Sequence, residues 1–182
     1  MASHWAYVLG GVEQCRAIVT FGTPFRGSPQ AIQSLSVGVR KFGLDLTDLL
    51  RSFTSAYQLL PIYPCVSAGG EWHRPAETTV PGVDQRMAQD ALTFHRAILD
   101  AAESSQGPYL RPYVGLRQDT TQSFAVDGNA PGTSLAPPPL VEAQFGSGDG
   151  TVPQVSAVPV QRSDALVDTS VVERHSVLQN NR

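Results

Sequence analysis

A chain of 182 residues with 41% hydrophobic and 16% charged side chains is long and apolar enough to bury the core of one domain. Its net charge of −3 and isoelectric point near 5.7 provide no basic stripe for neutralising phosphates, which argues against a nucleic-acid partner. The two cysteines, Cys15 and Cys65, are too few for a disulfide framework and lack C-x-x-C spacing, although a bridge between them stays open. Cys15 precedes an apolar run and is predicted to be buried and inert.

The chain carries no sign of membrane insertion or export. No apolar run approaches the ~18 residues that a membrane span requires. The segment from Met1 to Gly11 lacks the basic start of a signal peptide. We therefore expect no transmembrane segment and a soluble chain, provided that Met1 is the true start. The sequence leaves the compartment and the oligomeric state undetermined.

The first half of the chain predicts a strand between helices. Residues 1–11 are typical of the end of a helix, stopped by two glycines that can adopt positive φ. Residues 16–21, RAIVTF, form a β-branched apolar run typical of a strand buried on both faces of a parallel sheet. Residues 22–29, GTPFRGSP, follow as a loop at the strand end, and Ser28 can cap a helix.

Two helices are predicted next. One apolar stripe from Leu46 to Leu60 has helical spacing and is ended by Pro61. Residues 62–82 are rich in proline and glycine and are predicted to be irregular. The segment from Asp84 to Glu103 has the clearest helical period, with apolar side chains on one face and polar side chains off it.

The second half of the chain predicts further strands. Residues 109–118, 120–126 and 140–145 are predicted strands, and residues 127–139 are a predicted loop. The order of strand, long helical insert and further strands predicts an α/β fold, with a mostly parallel sheet and a cap-like insert over approximately residues 29–107.

Two motifs near the end of the chain suggest a catalytic acid and a histidine. Asp149 lies between two glycines in GDGTVP, where a tight turn can present its carboxylate at a strand end. His175 follows an apolar β-branched run 26 residues later, in the order acid then histidine that α/β-hydrolases use. Asp119 and Asp127 are rival acids near strand ends, but neither has the double-glycine turn.

These motifs resemble those of the lecithin:cholesterol acyltransferase family. The resemblance rests on GTPFRGS, GDGTVP and ERHSVLQN, in that order, and on LDLTDLLRSFTSAYQLLP, which is similar to the start of the family's cap. It implies an α/β-hydrolase fold and acyl transfer or ester hydrolysis on a lipid or other apolar ester, through a serine acyl-enzyme and without a cofactor or metal. It also implies that Asp149 is the triad acid and His175 the triad base.

The chain also departs from the family's pattern. It contains no G-x-S-x-G motif, so the nucleophile is expected shortly before Met1, and the chain itself is expected to be an inactive C-terminal fragment. Phe25 stands where many relatives have histidine in GTPH-x-G, which predicts an altered pocket lining.

Two other functions remain open from the sequence. A non-catalytic, truncated protein could bind a ligand or partner. Alternatively, Ser28 or Ser147 could act as a local nucleophile, although neither lies in a strand–elbow–helix pattern. The remaining histidines, His4, His73 and His95, have no spacing that suits a metal, and His95 is expected at the solvated edge of its helix.

Overall fold

The structure is a computed structural model that describes residues 1–104, 107–127, 131–139, 141, 146–160 and 170–180. Within these residues the chain is a mixed α/β protein with two main sheets and a short hairpin. Its strands are β1 (Ala17–Phe21), β2 (Arg40–Lys41), β3 (Leu44–Asp45), β4 (Val66–Ala68), β5 (Glu71–His73), β6 (Tyr109–Gly115), β7 (Ser123–Ala125), β8 (Gly132–Ser134) and β9 (Ser170–Val171). Its α-helices are α1 (Pro29–Ser36), α2 (Thr47–Ser52), α3 (Thr54–Tyr57), α4 (Gln85–Glu103) and α5 (Gln154–Ala157).

One of the two main sheets is parallel. Its three strands lie in the order β1-β6-β9, and both neighbouring pairs are parallel. The register pairs Ala17 with Tyr109 along β1 and β6, and Val114 with Ser170 along β6 and β9. The predicted α/β class with a parallel sheet is therefore confirmed. Because all three strands run the same way, their carboxyl ends meet at one edge.

Strand β1 is buried on only one face, which corrects the prediction that both faces are buried. Ile18 packs with Ala6 and Leu110, whereas Val19 is 51% and Phe21 41% exposed. The cause is that, among the described residues, the small cluster of Ala6, Ile18 and Leu110 covers one face of β1 while the face of Val19 and Phe21 is left exposed. An apolar β-branched run identifies a strand, but it does not reveal how many layers cover that strand.

The predicted helix from Leu46 to Leu60 is two short helices, α2 and α3. Phe53 has extended backbone angles (φ −89°, ψ 118°) and separates them. The two helices therefore direct their apolar side chains differently. Leu49 on α2 is 55% exposed, while Tyr57 on α3 is 1% exposed. Spacing alone could not reveal this break, because the sequence around Phe53 contains no proline or glycine.

The expectation that residues 62–82 are irregular is wrong for residues 66–73. Strands β4 and β5 form an antiparallel hairpin in this segment, and Gly69 and Gly70 turn it with φ values of 61° and 79°. Positive φ at both turn positions suits a tight hairpin, and glycine adopts it without strain. Strand β4 continues into a four-stranded sheet of order β5-β4-β7-β8, in which β4 and β7 are parallel.

Helix α4 is close to its predicted bounds. Asp84 caps it, since the Asp84 side chain accepts a hydrogen bond of 3.0 Å from the backbone N–H of Met87. The apolar face of α4 packs against the largest core cluster of the described residues, which also includes α1, α3 and the four-stranded sheet. The buried members of this cluster are Ile32, Leu35, Ala56, Tyr57, Leu60, Cys65, Val66, Ala76, Val80, Ala88, Ala91 and Phe124.

Other predicted elements are shorter than expected or lie outside the described residues. The predicted strands over 109–118 and 120–126 are β6 and β7, while the predicted loop over 127–139 contains β8. The predicted strand over 140–145 lies outside the described residues, apart from residue 141. At the start of the chain, a short π-helical segment (His4–Val8) ends before Gly10, whose φ is 76° as expected for a helix stop.

The prediction that Cys15 is buried is wrong. Cys65 is fully buried, and its burial raises the pKa of its thiol, while Cys15 is only half-buried because it packs at the margin of a small cluster. Both thiols are free. No helix among the described residues is long and apolar enough to cross a membrane.

Candidate active site

Asp149 and His175 meet at the carboxyl edge of the parallel sheet. The Nδ1 atom of His175 lies 2.7 Å from Oδ2 of Asp149. The backbone joins the same two residues, since the N–H of His175 donates to the carbonyl of Asp149 at 2.8 Å. The structure therefore brings together the two residues that the sequence motifs single out, 26 positions apart.

The carboxylate of Asp149 is buried but well supplied with donors. Its side chain is 1% exposed, and its Oδ1 accepts hydrogen bonds from the backbone N–H groups of Thr151 (3.0 Å) and Val152 (2.7 Å). These donors offset the cost of removing a carboxylate from water. They also fix the plane of the carboxylate, which leaves Oδ2 directed at the imidazole.

Thr120 holds the turn that presents Asp149. Its hydroxyl oxygen accepts from the N–H of Gly150 at 2.8 Å and donates to the carbonyl of Gln118 at 2.8 Å. Gly150 has a φ of 91°, which favours glycine at this turn. Sequence reasoning missed Thr120, because the contact spans 30 residues and no local pattern indicates it.

One ring nitrogen of His175 is hydrogen-bonded to Asp149, and the other is directed away from Asp149. An ionised carboxylate can only accept, so Nδ1 donates to Oδ2 and Nε2 is left as the proton acceptor. Among the described residues, the ring has no hydrogen-bond partner besides Asp149. The side chain is 39% exposed and borders a polar cleft of about 400 Å³. The cleft is lined by Gln118, Asp119, Asp149, Gly150, Thr151, Arg174, His175 and Ser176.

The loop after β1 is tied to the loop that carries Asp149. The Ser28 hydroxyl donates to the carbonyl of Thr151 at 3.0 Å, and the Ser156 hydroxyl donates to the carbonyl of Gly27. Arg26 adds a third link through its Nε, which donates to the carbonyl of Val158 at 3.2 Å. The GTPFRGS and GDGTVP motifs are thus parts of one hydrogen-bonded unit.

The two candidate local serines have structural roles. The Ser28 oxygen also accepts from the N–H of Gln30 at 3.4 Å, and so caps α1 as the sequence predicts. The Ser147 hydroxyl donates to Oε1 of Gln154 at 3.4 Å. Among the described contacts, neither hydroxyl is bonded to His175.

The rival acids are separate from any histidine. Asp119 and Asp127 are both exposed, and neither forms an ion pair or hydrogen bond with a histidine among the described residues. Asp119 borders the same polar cleft as His175. The geometry therefore favours Asp149 over both.

A larger apolar cavity, of about 580 Å³, lies beside the loop that follows β1. Phe25, at the position where the sequence predicts an altered lining, is one of its walls. The other apolar walls come mainly from α2, α3, α4 and β6, and include Leu50, Phe53, Ala56, Leu59, Phe94, Ile98, Leu99 and Leu110. The shape and chemistry suit an apolar ligand.

His95 also lines this apolar cavity, which corrects the expectation of a solvated edge residue. It is half-buried, and its Nε2 donates to the carbonyl of Gln58 at 2.7 Å. Burial lowers the pKa of His95, and the hydrogen bond to the Gln58 carbonyl opposes this change. Among the described residues, no group of three or more histidine, cysteine and acidic side chains could hold a metal ion.

The lowered pKa of His95 predicts a pH dependence of stability. Since the folded chain favours the neutral ring, the unfolded chain binds more protons as pH falls below the ordinary histidine pKa of about 6.5. This contribution to the free energy of unfolding is complete above that pH and is lost as pH falls through the folded-state pKa. Urea denaturation at pH 7.5, 6.5 and 5.5 should show a smaller loss in His95→Gln than in the wild type. Equal losses in the two proteins would contradict the assignment.

Comparisons with models of known protein families, with curated proteins and with solved structures found no match. The resemblance to the lecithin:cholesterol acyltransferase family therefore rests on the motifs of this chain alone.

Proposed function

We propose that this chain is the part of an α/β-hydrolase that carries the acid and the histidine of a Ser-Asp-His triad. The complete protein would be an O-acyltransferase or lipase that acts on a lipid or other apolar ester. The observation that carries the proposal is the 2.7 Å contact between His175 and the buried carboxylate of Asp149. The nucleophilic serine would come from residues that precede Met1.

The 2.7 Å contact between Asp149 and His175 supports a general-base role for His175. Asp149 would hold the Nδ1 proton of His175, which keeps Nε2 free to accept the proton of a serine hydroxyl. The serine oxygen would then bond to the acyl carbon of the ester, and Nε2 would return the proton to the departing alcohol. In the second half, Nε2 would accept a proton from water or another alcohol, whose oxygen bonds to the acyl carbon. The bond between the acyl carbon and the serine oxygen then breaks, and Nε2 returns the proton to that oxygen.

The sheet supports an α/β-hydrolase assignment in two ways. The pair lies against Gly22 and Gly115, at the carboxyl ends of β1 and β6, which is the edge where open α/β sheets bind their ligands. Strand β1 has a neighbour on only one side among the described residues, and its Val19 and Phe21 are exposed. An exposed apolar edge strand is an aggregation hazard, which favours a further strand alongside β1 in the complete protein.

The apolar cavity, which Asp149 and His175 do not line, supports an apolar substrate bound beside the polar cleft that they border. Its volume of about 580 Å³ is within the range of small-molecule pockets, and its walls include Phe25 from the loop after β1. The remaining walls come mostly from the segment 29–107, which we propose acts as a cap over the acyl group. Transfer to an alcohol would exceed hydrolysis where this cap excludes water.

A fluorophosphonate probe tests the proposal, because it labels only an activated nucleophile. The protein from the complete reading frame should be labelled, and peptide mapping should locate the label in a G-x-S-x-G motif outside residues 1–182. The 182-residue chain, expressed alone, should not be labelled. His175→Gln in the complete protein should abolish the labelling, while His73→Gln should retain it.

Two results would overturn the proposal. Labelling of Ser28 or Ser147 in the 182-residue chain would identify a local nucleophile instead. A folded complete protein that is neither labelled nor active on p-nitrophenyl esters of any chain length would leave the non-catalytic alternative.

A further inference from the structure

Gly22 lies directly against the Asp149–His175 pair. It follows the last residue of β1, and its N–H donates to the carbonyl of Tyr113 at 2.8 Å. Its φ is 56°. A Cβ at this position would lie 2.5 Å from Oδ2 of Asp149, 2.7 Å from Nδ1 of His175 and 2.9 Å from Cδ1 of Leu178. The two atoms that share the hydrogen bond are therefore the two that a side chain would displace.

We infer that Gly22 is a positioning residue for the catalytic pair. Because glycine has no side chain, Oδ2 of Asp149 and Nδ1 of His175 can meet beside position 22. The first glycine of GTPFRGS therefore acts through the acid and the histidine. This inference rests on the proposed function for its kinetic consequence. That Gly22 leaves room for the hydrogen bond between Oδ2 of Asp149 and Nδ1 of His175 follows from the contacts alone.

The environment of Asp149 determines which partner would move. Its Oδ1 is held by two backbone N–H groups, and its Cβ packs so closely on Gly115 that a side chain there would also collide with it. The carboxylate therefore has little room to retreat. His175 is 39% exposed, so a methyl group at position 22 would push the imidazole outward. The expected result is a broken hydrogen bond with Asp149 still in place.

Gly69 provides a matched control for the backbone conformation. Its φ is 61°, and a Cβ there would have no atom within 4 Å. Alanine at either position bears the strain of a positive φ, but only alanine at position 22 meets the pair. We expect Gly69→Ala to lower Tm by only about 2–4 °C. Activity should be unchanged.

The first measurement is spectroscopic and needs no activity. In the complete protein, an imidazole Nδ1 proton held by a carboxylate gives a strongly deshielded NMR resonance, assigned by its loss in His175→Gln. We expect this resonance in the wild type and in Gly69→Ala, and its absence in a folded Gly22→Ala. A folded Gly22→Ala that keeps the resonance overturns the inference. If Gly22→Ala does not fold in buffer, the same variant is measured at lower temperature in sucrose, which favours the compact state, and the resonance should be absent there as well.

The second measurement separates positioning from general stability. Gly22→Ala should lower kcat by about 100-fold or more, as misplacement of a catalytic group by about 1 Å does. KM should change little, because the substrate cavity is untouched. In the double variant with Asp149→Asn, Gly22→Ala should have almost no further effect on kcat, since both act through one hydrogen bond.

An additive effect in the double variant would overturn the positioning role. If the complete protein is inactive in every form, but the resonance is lost in a folded Gly22→Ala and kept in Gly69→Ala, the proposed function fails while the positioning of the pair by Gly22 stands.

Discussion

Asp149→Asn is expected to lower the kcat of the complete protein by about 10⁴-fold, the loss that this change causes in serine hydrolases. Oδ1 accepts two backbone N–H groups, so the amide oxygen of asparagine will take its place. The amide NH₂ then faces Nδ1 of His175, which must become an acceptor. The ring proton moves to Nε2, the atom that has to receive the proton of the nucleophile. Steady-state hydrolysis of a p-nitrophenyl ester, with kcat and KM measured separately, tests this.

Asp119→Asn is the matched control for this change. Asp119 borders the same cleft as His175 but is exposed and makes no hydrogen bond to the ring among the described contacts. It should leave kcat within a few-fold of the wild type. If Asp149→Asn retained activity within tenfold of the wild type, or if Asp119→Asn caused the larger loss, Asp149 would not be the triad acid.

Phe124→Ala is expected to lower the free energy of unfolding by about 3–5 kcal/mol, the range for large-to-small changes in a packed core. Phe124 is fully buried on β7, and its N–H donates to the carbonyl of Cys65 at 2.9 Å. Its ring belongs to the cluster that joins the four-stranded sheet to α1 and α4. Truncation therefore removes contacts with several elements at once and leaves a cavity.

Phe42→Ala makes the same chemical change on the surface. Phe42 is 92% exposed on the turn between β2 and β3, so its truncation should change stability by less than about 0.5 kcal/mol. Urea unfolding followed by circular dichroism gives both values by linear extrapolation. Similar small losses in the two variants would mean that the core around Phe124 is not packed as described.

The parts of the fold that the sequence predicts are those encoded by local patterns. Helix α4 has a repeating apolar face and an aspartate cap, and both signals lie within its own residues. The two glycines that flank Asp149 are also a local signal, because they predict the turn that presents its carboxylate. The β4–β5 hairpin had a usable local signal in Gly69 and Gly70, which was outweighed by the many prolines nearby.

The features that the sequence does not reveal depend on distant contacts. The exposure of Val19 depends on which elements cover β1, and the role of Thr120 depends on a turn 30 residues away. The half-buried state of His95 depends on the carbonyl of Gln58, on a neighbouring helix end. None of these partners can be identified from the spacing of the residues around them.

The links between the two motif loops bear on the order of folding. The Ser28–Thr151 hydrogen bond closes a chain separation of 123 residues, and the Ser156–Gly27 bond one of 129. Closing such long loops costs chain entropy before any contact is gained, so non-local pairings form slowly. Helix α4 and the β4–β5 hairpin can form early from their own residues. The two motif loops, by contrast, can join only when residues more than 120 positions apart have met, so we expect the site to be completed late in folding.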